Sequence, residues 1–367
     1  MVFRIDRGGR TLFSCGDGPR RLSAAPPVGA FPFPMTWAQL ETARRLLCAL
    51  QDHLLAALGA ARARGGRDFA RVAGVTAADT IYQVDRVGEA AILEWFGRNW
   101  PRDWPVEIVM EGLPEGATTF PAGTLARRTA VRCILDPIDG TRCLMYDKRP
   151  AWSLAALAPQ RGARTHLGDI VVAAMTELPT SKQAQVDQLS AVAGRGVRAE
   201  RIALGDGSRR RWRPRPSRAR DFAHGFAALA RFFPEGKGLL ATFEEELWRE
   251  LGLHGRGGGQ LVFDDQYLST GGQLYELLAG HDRMLGDLRP LAHARIGLPA
   301  TALACHPYDI CTALIAREAG CVVEAPAGGP LRCPLDTTSP VAWMGYANPF
   351  LARRVRPVLR RLLRRFF

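Results

Sequence analysis

Apolar residues recur at intervals of three and four from Thr36 to about Arg64, in TWAQLETARRLLCALQDHLLAALGAARAR, and this predicts a long amphipathic helix. A second helix is predicted over 85–100, DRVGEAAILEWFGRNW, with Asp85 near its N-terminus and the prolines of WPRDWP stopping it. Short apolar runs follow at 106–111 (VEIVME), 130–136 (AVRCILD), 152–158 (WSLAALA) and 168–178 (GDIVVAAMTEL); their length and turn-rich borders predict strands. Farther on, 261–290 and 308–326 each couple a helical pattern to an apolar, strand-like run, as in a mixed α/β domain. No internal repeat is apparent.

The pattern breaks in three places. Residues 1–34 are rich in Gly and Pro, ending in AAPPVGAFPFP, and predict an irregular arm. At 205–220, GDGSRRRWRPRPSRAR carries too much charge, and two prolines too many, for a core helix or a central strand. It predicts a loop or insertion, either a domain boundary or an elaborated hairpin. The tail ARRVRPVLRRLLRRFF is basic and amphipathic; such a segment can lie on an anionic membrane, but docking of its Val, Leu and Phe stripe on the domain is the preferred reading. The expected organisation is an arm over 1–35, an α+β domain over 36–205 carrying the candidate metal site, an α/β domain over 206–350 and a basic helix over 351–367.

Composition narrows the function classes. A chain of 367 residues, 47% hydrophobic and 23% charged, suits two packed domains. The net charge of +13 suggests nucleic acid, yet the only lysines are Lys148, Lys182 and Lys237, and an Arg-, Ala- and Gly-rich chain reflects genome composition more than selection for a phosphate-binding surface. The Trp within RRRWRPRPSRAR can stack on single-stranded nucleic acid, but a solvated loop is preferred, so no nucleic-acid partner is expected. The eight cysteines form no CxxC pair and sit mostly in apolar runs, among them Cys133, Cys143, Cys305, Cys311, Cys321 and Cys333, as buried thiols in a reducing compartment do. No run reaches the roughly 18 apolar residues of a membrane span, and no apolar segment follows Arg4, Asp6, Arg7 and Arg10, so the cytoplasm is the expected location.

One short stretch carries chemistry. In CILDPIDGTRCLMY, Asp136 and Asp139 stand where a strand is ending, and Pro137 and Gly140 exclude a helix there. Buried carboxylates beside a core cost several kcal/mol unless something compensates them. Two carboxylates and an intervening carbonyl form an oxygen-only ligand set suited to a hard divalent cation such as Mg²⁺, and the amides of Gly140 and Thr141 can meet an anion. The alternative is structural, as Asx-turn or cap formers.

DPIDGT followed by a hydrophobic strand resembles the signature of the inositol monophosphatase and fructose-1,6-bisphosphatase superfamily, Mg²⁺-dependent and lithium-sensitive phosphomonoesterases. Other segments resemble that family in order: IYQVD at 81–85 with the helix containing Glu89, VEIVMEG at 106–112, the hairpin at 178–197, the helix within 269–289, and HPYDICTALIAREAG at 306–320. The resemblance spans about residues 36–350. It implies a layered α-β-α-β-α sandwich, and two or three Mg²⁺ held by Glu111, Asp136, the carbonyl of Ile138, Asp139 and Asp309. It implies that Asp85 draws the proton of Thr141, that Thr141 orients the nucleophilic water, and that Gly140 and Thr141 contact phosphate. His306 and Arg283 are further candidate substrate contacts. The expected partner is a small phosphorylated alcohol, an inositol or sugar phosphate, and a homodimer is plausible on the resemblance.

The chain departs from the family pattern at four places. Gly112 stands where a second acidic residue usually follows the metal-binding glutamate, and Glu115 is too displaced to replace it. Tyr82 replaces a threonine, TRCLMY replaces a more polar turn, and Tyr308 replaces a tryptophan. Gly112 motivates an alternative function, a catalytically impaired member that binds metal or phospholigand in a regulatory role.

Overall fold

Leu40, Ala43, Leu47, Leu50, Leu54 and Leu58 face inward from a single long helix, α1 (Trp37–Gly65), at the three- and four-residue spacing that the sequence displays. The computed structural model describes residues 35–65, 72–75, 80–113, 116–253 and 262–367. The arm over 1–34 and Glu115 lie outside the described residues, as does the side chain of Tyr82.

After α1 come a short antiparallel pair, β1 (Val72–Val75) and β2 (Thr80–Tyr82), and then α2 (Gln83–Asn99). The chain continues through β3 (Val106–Met110), β4 (Ala117–Phe120), β5 (Val131–Asp139), the one-turn helix α3 (Thr141–Met145) and β6 (Ala151–Pro159). It then runs through β7 (Val172–Leu178), β8 (Gln185–Val192), β9 (Val197–Ala203) and β10 (Arg209–Trp212). Strands β3 to β10 form one sheet in the order β10-β9-β8-β7-β6-β5-β3-β4, antiparallel except for the β3–β5 pair. The Arg-rich segment is therefore an elaborated hairpin: Arg209–Trp212 add an edge strand, the one strand position that tolerates the prolines following it.

The second half holds β11 (Gly225–Leu229), α4 (Lys237–Glu250), β12 (Val262–Phe263), α5 (Thr270–Ala279), β13 (Asp282–Asp287) and α6 (Arg289–Arg295). It ends with α7 (Ala313–Ala319), β14 (Val322–Glu324), β15 (Trp343–Tyr346) and α8 (Pro349–Phe366). Its sheet is mixed, ordered β12-β11-β13-β15-β14.

The layers follow from which faces are apolar. Helix α1 packs on β7 and β8 with α2 at its side, and Gln51 at its centre is fully buried and bonds the carbonyls of Ser153 and Ala174 and the Thr176 hydroxyl. Helices α5 and α7 lie between the two sheets, where Leu274, Leu277, Ile310 and Ile315 join Trp152, Leu154 and Trp343 in one core. Outside the smaller sheet, Leu240, Phe243 and Leu247 of α4 meet Leu351, Val355 and Leu359 of α8 in a second core. The basic tail is docked by its apolar stripe, and Arg356 forms a bidentate pair with Glu324. The result is the α-β-α-β-α sandwich. No helix among the described residues is long and apolar enough to cross a membrane, and their cysteines are all free thiols.

Candidate metal and phosphate site

The site begins with an irregularity in β5. Asp136 pairs with Leu154 of β6 and Asp139 with Trp152, so three steps on one strand oppose two on the other. The extra residue is a β-bulge, placed where Pro137 has no N–H to give the ladder. In a regular strand, residues three apart face opposite sides of the sheet; the bulge brings the two carboxylates to one side. Asp136 Oδ1 accepts the Ile138 amide at 2.9 Å.

Asp139 is fixed from the second half of the molecule. It accepts the Ser269 hydroxyl (2.8 Å), the Thr270 amide (3.2 Å) and the Gly271 amide (2.5 Å), all at the start of α5, a helix end suited to a carboxylate. Gly140 takes up φ 90°, and a Cβ there would lie 2.9 Å from the Leu268 carbonyl oxygen. Glycine is what lets the turn meet α5 this closely.

Asp309 arrives just ahead of α7, where it accepts the His306 amide at 2.6 Å. A carboxylate oxygen from each of Asp136, Asp139 and Asp309 lies within 4.8 Å of the others. Glu111, one residue past β3, lines the same cavity of about 100 Å³, as do Ile138, Gly140 and Thr141. Thr141 Oγ1 is 2.8 Å from the Ile138 carbonyl and 3.1 Å from Asp85 Oδ1 in the first turn of α2.

Electrostatics make the cluster expensive on its own. Burial, and then repulsion by Asp139, Asp309 and Glu111, push the Asp136 carboxyl well above the usual carboxylate range. Asp309 is raised by burial and by Asp139. Asp139 is raised by burial, against the hydrogen bonds from Gly271, Ser269 and Thr270. Arg289 offsets part of the repulsion at Asp139 and Asp309; oxygen-only donors, burial and the repulsion that is left are the conditions under which a hard divalent cation fits.

Two candidates fall outside this group. His306 is buried and stacks on Tyr308 at 5.3 Å between ring centroids; its backbone amide serves Asp309, but it does not line the cavity. Arg283 donates to the carbonyls of Asp221 and Ala223 and is not in the cavity wall either.

The structure also adds residues. Arg289 lines the cavity, pairs with Asp287 through Nε and Nη2, and lies 4.4 Å from the ring centre of Phe232. Phe232, Phe233, Leu268 and Arg142 complete much of the wall. A faint signal for Arg289 exists in GDLRP, an acid and a base two apart at the end of an apolar run. Nothing local marks the two phenylalanines.

The departure at Gly112 has a structural counterpart. Gly112 stands at φ 88°, and a Cβ there would lie 1.9 Å from Oε1 of Glu89 and 2.4 Å from its carboxyl carbon. The Glu89 carboxylate, reaching over from α2 one turn beyond Asp85, fills the space a side chain at 112 would need. It is 12% exposed and pairs with Arg86 at 3.5 Å.

No family model matches the chain, and no curated protein matches it. Solved structures do. The extragenic suppressor protein SuhB of Bartonella henselae is 18% identical, with 89% of this chain and 100% of that one covered, at a TM-score of 0.58. The fructose-1,6-bisphosphatase of Leishmania major is 14% identical over 90% of this chain and 100% of that one, at 0.60. An inositol monophosphatase from Anabaena is 15% identical over 90% and 98%, at 0.55. Across nearly the whole length of those chains, this protein has the fold of the inositol monophosphatase and fructose-1,6-bisphosphatase proteins.

Proposed function

We propose that the protein is a Mg²⁺-dependent phosphomonoesterase acting on a small phosphorylated alcohol, an inositol or sugar phosphate. The observation that carries this reading is the convergence of Asp136 and Asp139 from β5 and Asp309 from the segment before α7 on one small cavity, beside Glu111 and the Gly140–Thr141 turn. Such a set has no evident structural purpose, since each carboxylate raises the cost of the next.

Cations held by these four carboxylates and the Ile138 carbonyl would neutralise charge on the phosphoryl oxygens and supply a more acidic water. The chain's own residues do the positioning. Asp85 accepts the Thr141 hydroxyl proton, which turns the Thr141 oxygen lone pairs toward the cavity, where they orient a water by accepting its hydrogen. The amides of Gly140 and Thr141 are the phosphate donors of this reading. The His306 amide and the start of α5 hold Asp309 and Asp139 in place, so their geometry needs no reorganisation during reaction. Phe232, Phe233 and Leu268 give the cavity an apolar flank.

Glu89 bears on the alternative of an impaired member. Its carboxylate supplies from α2 an acidic group in the space that a side chain at 112 would enter, where the resemblance leads one to expect an acid, which favours the enzyme over a silent binder. The test is phosphate release from a panel of phosphate monoesters with Mg²⁺, with Mg²⁺ and Li⁺, and with EDTA. Metal-dependent release inhibited by Li⁺ is the expected result; Mg²⁺ binding without release from any ester favours the regulatory reading.

A further inference from the structure

A larger cavity, of about 1080 Å³, lies elsewhere on the molecule and shares no lining residue with the candidate active site. It opens where the chain leaves the edge strand β10. Trp212, Arg213, Arg215 and Arg218 form one wall, and Glu318 and Asn348 contribute to the others.

The arginine-bearing wall is a fixed piece of backbone. Pro214 and Pro216 restrict φ on either side of Arg215. Asn348 Nδ2 donates to the carbonyls of Ser217 and Ala219, both at 2.9 Å. The Arg215 carbonyl abuts Gly280, where a Cβ would lie 2.3 Å from its oxygen. Pro214 is buried while Arg213, Arg215 and Arg218 are exposed, so the prolines anchor the segment and the guanidinium groups are presented from it.

Charge around the cavity is unbalanced. Neighbouring arginines are committed: Arg201 to Asp187, Arg209 to Asp52 and Glu200, Arg198 to Glu41 and Arg283 to Asp221. Among the described residues no carboxylate pairs with Arg213, Arg215 or Arg218. Glu318 is the one acidic side chain in the wall, and its two oxygens accept the Gly194 and Gly196 amides, each at 2.7 Å. On the same wall the Trp212 indole N–H is buried and has no acceptor. Exposed guanidinium forks presented on one concave surface without carboxylate partners match the bidentate geometry of phosphate oxygens.

We propose that this cleft is a second, non-catalytic binding site for a compact small molecule carrying two or more phosphate groups. A nucleic-acid strand fits the observations less well. The Trp212 ring carries the Arg201 guanidinium at 5.5 Å and meets the edge of Tyr275 at 6.3 Å, so it is engaged within the protein rather than offered to a base.

The experiment is a calorimetric titration of inorganic tripolyphosphate into the full chain without divalent cations, at about 0.15 M salt, where bulk surface charge is largely screened. One tripolyphosphate per chain is expected. The triple variant Arg213→Ala, Arg215→Ala, Arg218→Ala is expected to lose affinity by on the order of tenfold or more. Removing the same charge at the opposite edge of the large sheet, as Arg102→Ala, Arg127→Ala, Arg128→Ala, is expected to leave affinity within about twofold. Asp136→Asn is expected to leave it unchanged, which places the ligand outside the candidate active site whether or not the protein is a phosphatase. The proposal is overturned by absence of binding, by equal loss in the two triple variants, or by loss in Asp136→Asn. It is also overturned if a single-stranded oligonucleotide binds more tightly than tripolyphosphate in the same buffer.

Discussion

Asp139 is only 6% exposed and yet accepts three hydrogen bonds from the start of α5, while Asp136, 5% exposed, accepts one. The sequence displays these two residues clearly, because acids interrupting an apolar run at a strand end have few cheap explanations. It does not display what Gly112 means. Read along the chain, a glycine after Glu111 is a missing carboxylate; in three dimensions it is the space that Glu89 occupies. This predicts a compensation. Glu89→Ala is expected to lower Mg²⁺-dependent phosphate release by about 10- to 100-fold and to weaken Mn²⁺ binding measured by calorimetry, as loss of a group supporting metal ligands does. Gly112→Glu alone forces its side chain into Glu89 and is expected to destabilise the protein by about 1–3 kcal/mol. The double variant Glu89→Ala, Gly112→Glu returns a carboxylate to the same space and is expected to regain both binding and part of the activity, despite the positive φ at 112. If it is no better than Glu89→Ala alone, Glu89 serves only the packing of α2.

At the scale of elements, the long helix α1, the short strands β3, β5, β6 and β7 and the docked tail α8 are legible, since each shows its period or its length in the sequence. What escapes is how segments far apart along the chain combine. Phe232, Phe233 and Arg289 reach the cavity only because two sheets and an intervening helix layer are stacked, and no local pattern encodes that. The docking of α8 makes a direct prediction. Leu359 is fully buried between α8 and α4, so Leu359→Ala is expected to cost about 2–5 kcal/mol in denaturant unfolding, whereas Arg364→Ala on the exposed face is expected to change stability by less than about 0.5 kcal/mol. Equal effects would place the helix off the core. The β7–β8 hairpin carries a pH signature. Burial raises Glu177 on β7 to about 7, although Gln183 and the Asp187 amide donate to it. A carboxyl raised from an ordinary 4.5 to about 7 is favoured by folding in its protonated form. Its ionisation therefore subtracts nothing below the unfolded value and progressively more as pH rises to the folded one. Glu177→Gln should accordingly match wild type at pH near 4 and exceed it above pH 7, by about 1–3 kcal/mol. A constant difference across that range would show that burial does not hinder the charge.

For the whole molecule, the two halves meet at the site: β5 brings Asp136 and Asp139, the start of α5 anchors Asp139, and the segment before α7 brings Asp309. Folding therefore gathers like charges. The protein without divalent cations is expected to be no more stable than its Asp136→Asn variant, because the variant removes repulsion from the cluster. Mg²⁺ at about 100 times its dissociation constant is expected to stabilise wild type by about 2.7 kcal/mol and the variant by much less; a variant stabilised equally would place the ion elsewhere. That measurement concerns binding, and the central claim concerns chemistry. Its most direct test is inorganic phosphate release from inositol and sugar monophosphates by purified wild-type protein and by Asp136→Asn, each with Mg²⁺ and with EDTA. The account predicts release only from wild type with Mg²⁺, with Asp136→Asn folded and inactive. Release that survives EDTA or the Asp136→Asn substitution would contradict it.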